Sequence, residues 1–530
     1  MADQEVKPDT FTLSQSDSTE SVRRARDTSG APVFKDYTLD REQRALFATN
    51  VFDLLPDEHD CFVFADLIGH LDVSGALKHY SPIGQRAFDP RQLIGILIYA
   101  YSRGVFSSRQ IAQRCAEDLG FMYIAGTAPP SHKVLRDFRK QHSELFTECF
   151  KQTVKLALEL KLASLGHVSL DGSKFKANSS KHKAMSYGRL KQQEAALAEE
   201  IDALISQAAR CDEEEDKRYE ERTGFEIGAD LKYKQERLQK SQEAKAALEK
   251  REQQRAGESQ EPVVIEDRKQ ISFADHDANL MGKNGHSEYA YNVQLSVDSD
   301  YQLIVGLHLS GQANDYGEVR PALEQLKENC EQYPDKLSMD NGYYSGDNLQ
   351  VLLDEEIDAY VATNRDEKPH SEALEVGGRR LIKADFSYDE ETDQYTCPEN
   401  KQLNRCGNKD KEHRYRAAAA DCADCPLKGQ CLKSKNTAAR TLNYSDKEPL
   451  RQRMNQHMNE EASRAIYDKR KVIVEPVFGQ IKNSGFREVS VRTKERVAGE
   501  LSLVCLVHNL KKIFKHRTTG LIRGEFEMAS

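Results

Sequence analysis

Three acidic residues in three different settings are the part of this 530-residue chain best suited to chemistry. Asp171 closes the apolar run His167-Val168-Ser169-Leu170-Asp171-Gly172, and Asp340 closes Lys336-Leu337-Ser338-Met339-Asp340-Asn341-Gly342. Glu475 lies between Arg470 and Lys482, with Tyr467 just upstream. A carboxylate at the end of a buried strand is held in place by the sheet yet reaches its open edge. Three of them meeting there would form the all-oxygen shell that hard divalent cations such as Mg2+ (or Mn2+) prefer. Two such ions about 3.5–4 Å apart can hold the attacking and leaving oxygens of an in-line phosphoryl transfer. An aspartate before glycine is also an ordinary turn signal, so the weight falls on the three together. Asp315, in Gly311-Gln312-Ala313-Asn314-Asp315, is the rival for the second position; it reads better as an N-cap or first-turn residue of a helix near 317.

Elements must exist to position these residues. Residues 1–33 are polar and read as a disordered tail. From 34 to 165 helical periodicity dominates, giving an all-α N-terminal domain. One buried helix there starts at Pro90 with Asp89 as N-cap, and another is capped by Ser131 and carries Lys133, Arg136, Arg139 and Lys140. That basic helix suits a helix-turn-helix DNA reader and equally an amphipathic helix with a solvated face. A catalytic core opens at 166–362, interrupted at 181–270 by leucines at helical spacing that predict a coiled helical hairpin. A period of two predicts a strand hairpin from Tyr291 to His308 with Asp298-Ser299-Asp300 at its turn. Helix, strand, helix and short strand follow to Ala362. Residues 363–465 read as an irregular Cys-rich insertion, 466–517 as C-terminal helices of the core, and 518–530 as a tail. With both inserts removed, this order resembles the ribonuclease H-like α/β fold, a mixed five-stranded sheet with the three acidic residues on its first strand, its fourth strand and a later helix.

Net charge is −10, unusual for a nucleic-acid enzyme, but it is unevenly spread. Lys191–Gln270 holds 15 basic and 21 acidic residues, whereas Asp468–Ser530, which bears Glu475, holds 13 basic and 7 acidic. A polyanionic ligand responds to the local field more than to the total. No run of 18 apolar residues exists, and Met1-Ala2-Asp3-Gln4-Glu5 lacks the basic start and apolar core of a secretory signal. A cytoplasmic, nucleoid-associated protein with no membrane role is expected.

Five of the 11 cysteines cluster as Cys397-Pro398, Cys406, Cys422-x-x-Cys425-Pro426 and Cys431. Cys397, Cys422, Cys425 and Cys431 suit a closed tetrahedral structural zinc, with Cys406 or His413 as substitutes; five unlinked loop thiols are the plain alternative. Lys428, Lys433, Lys435 and Arg440 nearby would add DNA contacts.

Taken in order, Leu170-Asp171-Gly172-Ser173-Lys174, Tyr291-Asn292-Val293-Gln294, Met339-Asp340-Asn341-Gly342-Tyr343, Val474-Glu475-Pro476-Val477-Phe478-Gly479 and His508-Asn509-Leu510 resemble a DDE transposase of a bacterial insertion sequence with a Tyr-Arg-Glu-Lys signature. The resemblance covers about residues 34–517. Four residues rather than three separate Arg470 from Glu475, and Pro476 places Glu475 at a helix start. The resemblance implies that Asp171, Asp340 and Glu475 hold two Mg2+ ions and that Tyr467, Arg470 and Lys482 hold DNA, with Lys174 and Lys176 as phosphate neighbours. Asp275 and Asp277 become a loop feature; Arg492 and Lys494 would either touch phosphates or solvate the entry to the last helix. It also implies double-stranded DNA partners, namely terminal inverted repeats and target DNA, and a homodimer bridging two DNA ends. A ribonuclease H-like nuclease without strand transfer, or an inactive element-derived DNA-binding protein, are the competing expectations.

Overall fold

The computed structural model of the chain describes residues 51–180, 184–215, 224–256, 264–283, 286–363, 378–389, 391–409, 412–432, 434 and 436–518. The expected tail at 1–33, all but the first residue of that at 518–530, and Lys433 and Lys435 lie outside the described residues. Six helices come first: α1 (Asp60–Gly69), α2 (Pro90–Ser102), α3 (Ser108–Glu117), α4 (Leu119–Ala125), α5 (His132–Gln141) and α6 (Ser143–Glu159). The predicted caps form. Asp89 accepts a hydrogen bond from the Arg91 amide and Ser131 accepts one from Val134. Every residue of α2 except Arg91 is buried, which explains its nearly unbroken apolar sequence.

The main sheet contains β1 (Val168–Lys176), β4 (Asn279–Lys283), β5 (His286–Asp298), β6 (Ile304–Ser310), β7 (Lys336–Met339) and β8 (Asp358–Val361); the short pair β2 (Ala184–Ser186) and β3 (Gln270–Ser272) stands apart. Reading across, the order is β6-β5-β1-β7-β8. The first three strands are antiparallel, and β1, β7 and β8 are parallel. The sheet has six strands where five were expected. The long β5 pairs along one edge with both β6 and the additional β4, end to end. The β4 sequence, Asn-Leu-Met-Gly-Lys, alternates too briefly to announce itself.

The helical insert is α7 (Tyr187–Glu215) and α8 (Gly224–Ala256). They run antiparallel, because Glu194 pairs with Lys245 and Glu200 with Lys234. Leu190, Ala244, Leu248 and Ile271 close its base. The Cys-rich insertion is not irregular as expected. It forms a second sheet, β9 (Ser387–Asp389), β10 (Gln394–Thr396), β11 (Gln402–Lys409), β12 (Glu412–Ala417) and β13 (Thr441–Ser445), with the short helices α11 (Ala419–Ala423) and α12 (Lys428–Cys431) beside it. Its strands are short and carry few aliphatic residues. Its small core depends on aromatic contacts among Tyr388, Tyr395, Tyr415 and Tyr444, which a search for alternating aliphatics overlooks.

Helices α9 (Val319–Cys330) and α10 (Gly346–Asp354) connect the later strands of the main sheet, and α13 (Glu448–Asn459), α14 (Glu461–Asp468), α15 (Arg470–Ile473), α16 (Glu475–Asn483) and α17 (Lys494–Thr518) complete the chain. The family string His508-Asn509-Leu510 has a structural role here. The Asn509 amide takes the Ile304 N–H at 2.9 Å and donates to the Ile304 carbonyl at 2.8 Å, fixing α17 on β6. Asp275 and Asp277 hold the start of the same helix by accepting the Thr493 and Lys494 amides, so they are more than loop features. Among the described residues no helix is long and apolar enough to cross a membrane.

Three buried histidines make this fold acid-sensitive. Burial pushes His142, His167 and His508 down to about 4 from 6.5, with His79 adding to it at His142, and Lys469 and Lys336 at His167. Between those two pH values the unfolded chain binds protons that the folded one refuses, so stability falls as pH falls across that window. The unfolding midpoint measured from pH 7 to 4 should drop, and His508→Gln should flatten the drop.

Candidate active site

The register of the parallel strands brings the first two carboxylates together. Val168, Ser169 and Leu170 of β1 pair with Leu337, Ser338 and Met339 of β7, so Asp171 and Asp340 are the next residues on neighbouring strands. β7 stops there, but β1 continues to Lys176 against β5. Asp171 is therefore not at a strand end, as its apolar run suggested; it sits where the neighbouring strand ends and the edge opens. The Asp340 carboxylate accepts the Gly342 amide at 2.7 Å.

The third carboxylate arrives from the far side. Glu475 is the first residue of α16 and Pro476 the second, and α15 ends at Ile473; Val474 between them keeps a helical backbone (φ −91°, ψ −37°), so the interruption is a single residue. Arg470, on α15, lies between the acids. One Nη donates to Asp171 at 3.0 Å and the other to Glu475 at 3.3 Å. The Asp171 side chain is 17% exposed, Arg470 9% and Glu475 51%. Burial pushes the Asp171 carboxyl up to about 6; Arg470 pulls it down and Asp340 pushes it up further. The Arg470 guanidinium stands 6.0 Å from the centre of the Tyr467 ring. From α16, Lys482 donates to Ser173 at 2.5 Å and lies over Phe175, while Lys174 is tied to the Gly282 carbonyl. Asp171, Asp340, Glu475, Tyr467, Arg470 and Lys482 lie at one edge, whereas Lys174 turns to the Gly282 carbonyl of β4. Lys176 and Arg492 turn to Glu488 and to the Asn178 carbonyl.

Two expectations need correction. Asp315 caps no helix, because α9 begins at Val319 with Glu318 as its N-cap. Its carboxylate turns to the site, where Asn292 and Gln294 of β5 donate to it at 2.8 and 2.6 Å. The Asn292-x-Gln294 alternation of β5 was the missed signal, since it aims two amides at one face. Arg139 does not face outward with the other basic residues of α5. It is buried, donating to Tyr101 at 2.9 Å, the Phe106 carbonyl at 2.8 Å and Ser108 at 2.6 Å, with Glu500 of α17 at 3.6 Å. Lys133, Arg136 and Lys140 remain exposed, although Arg136 pairs with its neighbour Asp137. Lys133 and Lys140 line a broad cavity of about 1440 Å³ between α5 and the start of α17, away from the carboxylates.

The donors at the edge are oxygens, and a guanidinium already lodges between two of them, so the site fits positive charge of the hard kind. Among the described residues no three His, Cys, Asp or Glu side chains are already grouped as a metal cage.

Two family models match the chain. The Transposase domain (DUF772) matches residues 49–141, covering the helices before α6, and the Transposase DDE domain matches residues 396–514, from the second sheet through Glu475 and most of α17. A search of curated proteins returned no match. One transposase-domain match lies towards each end of the chain, and acidic residues from β1, the end of β7 and α16 come to one sheet edge, so the chain is similar to DDE transposases of insertion sequences, enzymes that act on DNA.

Proposed function

We propose that this transposase cuts the ends of its element and joins them to target DNA at the edge where Asp171, Asp340 and Glu475 meet, on a ribonuclease H-like core. The single observation that carries the reading is the adjacency of Asp171 on β1 and Asp340 just past the end of parallel β7, with Glu475 tied to Asp171 through Arg470. Two Mg2+ (or Mn2+) ions held by these carboxylates would activate the attacking oxygen and neutralise charge at phosphorus. The chain's own residues position the strand. Asp171, anchored mid-strand, would help to hold both ions, and Asp340 and Glu475 would each help to hold one. Arg470, once displaced from the carboxylates, has a phosphate as its natural next partner, and Tyr467 offers a ring face to a base. Lys482 and Lys174 flank the scissile strand, and Lys133, Arg136 and Lys140 of α5 hold the duplex farther out. Two protomers, each on one terminal inverted repeat, would bridge the element in the cytoplasm at the nucleoid.

The test is cleavage and joining of the element's own end DNA with Mg2+, comparing wild type with Asp340→Asn. Wild type should cut and, given pre-nicked ends, transfer them to a target; the variant should do neither. Equal activity of the two would end the reading, and cutting without joining would reduce it to a nuclease.

A structural zinc in the second sheet belongs to the same proposal. Cys431 is in the small core, Cys397, Cys422 and Cys425 pack against it, and the Lys401 amide donates to the Cys397 sulfur at 3.3 Å, as backbone amides do to metal-binding thiolates. Cys406 is exposed, and His413 is engaged by Arg405 and Asp446, which leaves those two out. Purified protein should carry about one zinc per chain. Cys422→Ser should lose it and Cys406→Ser should keep it, as read by elemental analysis; zinc-free wild type would refute the site.

A further inference from the structure

Asp315 is an acidic residue beside the proposed cation site that neither the signature nor the fold pattern assigns. The loop between β6 and α9 delivers it to the gap between β1 and β7. A Cβ placed on Gly172 would stand 2.8 Å from its Oδ1, and one on Gly342 would stand 3.0 Å from its Oδ2. Those two glycines directly follow Asp171 and lie two residues past Asp340, so Asp315 fills space that only glycines leave beside the two acids.

The loop is built to keep it there. Asn292 and Gln294, alternate residues of β5, both donate to Oδ1. Gln294 is itself oriented by the buried Tyr343 hydroxyl, which donates to its amide oxygen. Asn348 of α10 donates to the Asp315 carbonyl at 3.3 Å, and Ser345 donates to the carbonyl of Tyr316 at 2.9 Å. All these donors are neutral. Arg470 neutralises Asp171 and Glu475, but among the described residues no basic side chain pairs with Asp315 or Asp340. Amide donors orient a carboxylate without cancelling its charge, and an uncompensated carboxylate out of bulk water is costly unless a cation arrives.

We infer that Asp315 is a positioning residue of the cation site, a fourth carboxylate whose fixed charge sets how tightly Asp171 and Asp340 hold a divalent ion. The inference rests on the proposed function above. Partners outside the inner ligand shell typically alter metal affinity by about 10–100-fold. An effect of that kind separates affinity from turnover.

The experiment uses the full chain and two readouts. Mn2+ binding without DNA is followed by loss of the free-ion paramagnetic resonance signal, and cleavage of end DNA is titrated with Mg2+. Asp315→Asn should weaken Mn2+ binding and raise the Mg2+ concentration for half-maximal cleavage by about 10-fold or more. Its rate at saturating Mg2+ should stay within a few-fold of wild type. Asp315→Glu should recover part of the affinity, a rescue that a packing role would not give. If Asp315→Asn does not fold, Asn292→Ser, which loosens the clasp and keeps the charge, should shift both midpoints in the same direction by a smaller amount. Unchanged midpoints in the folded variants overturn the inference, and so does a rate lost at every Mg2+ concentration. Wild type that neither binds Mn2+ nor cleaves, or Asp340→Asn that matches wild type, would instead count against the functional reading itself.

Discussion

Asp171→Asn should give a folded protein that holds its DNA and does not cut it. Asp171 touches more of the site than the other acids: it is fixed in β1, stands beside Asp340 and accepts from Arg470. Asparagine keeps the shape and can still accept from Arg470 through its carbonyl, so little stability should be lost. What disappears is the negative charge that a divalent ion would share. The loss should exceed the roughly 100-fold that marks the upper range for outer partners of a metal. Cleavage rate with Mg2+, measured beside DNA affinity and the unfolding midpoint, separates the outcomes. A variant that cuts within about tenfold of wild type would remove Asp171 from the chemistry. One that no longer folds would show the residue to be structural.

Arg139→Met should be the most damaging change away from the site. Glu500 is fully buried and accepts from Tyr101 at 2.7 Å, from the Ser490 amide at 2.7 Å and from the Ser490 hydroxyl at 2.5 Å. Arg139 is its cationic neighbour. Removing one partner of a buried pair leaves an uncompensated charge and costs about 3–5 kcal/mol. Denaturant unfolding should show a loss of that order, with end-DNA affinity unchanged wherever the variant remains folded. A weakened affinity at unchanged stability would instead return Arg139 to the DNA-facing set.

These two residues show how far the sequence could be read. Asp171, Asp340 and Glu475 stood out because each follows or opens a local signal, an apolar run before Asp-Gly, a strand stopping at Asp-Asn-Gly and a glutamate before proline, although the first signal was misjudged, since β1 runs on past Asp171 to Lys176. Arg139 was misread because periodicity marks which residues share a helix face but not where the neighbours end. Lys133, Arg136 and Lys140 sit on the exposed arc, while Arg139 follows Phe138 into the core, beside a partner 361 positions away on α17. Asp315 was hidden for a related reason: a polar loop residue near a helix start has a ready local explanation, and only the alignment of Asn292 and Gln294 across β5 gives it another. The second sheet was missed because its strands are short and carry at most one buried aliphatic residue each, Leu403, Ala417 and Leu442, with tyrosines supplying much of the remaining contact.

The buried link between α5 and α17 has a further consequence for how such an enzyme measures DNA. The helix whose outer lysines would grip the duplex is fastened by its inner face to the helix that also clamps β6 of the carboxylate-bearing sheet. If α5 grips DNA and the carboxylates cut it, grip and blade would travel as one piece, and the number of base pairs between the recognised sequence and the severed bond would be a property of the scaffold, like the gap of a fixed caliper. End sequences with a few base pairs added inside that interval should be bound normally and cut at a displaced position, at the distance the caliper dictates.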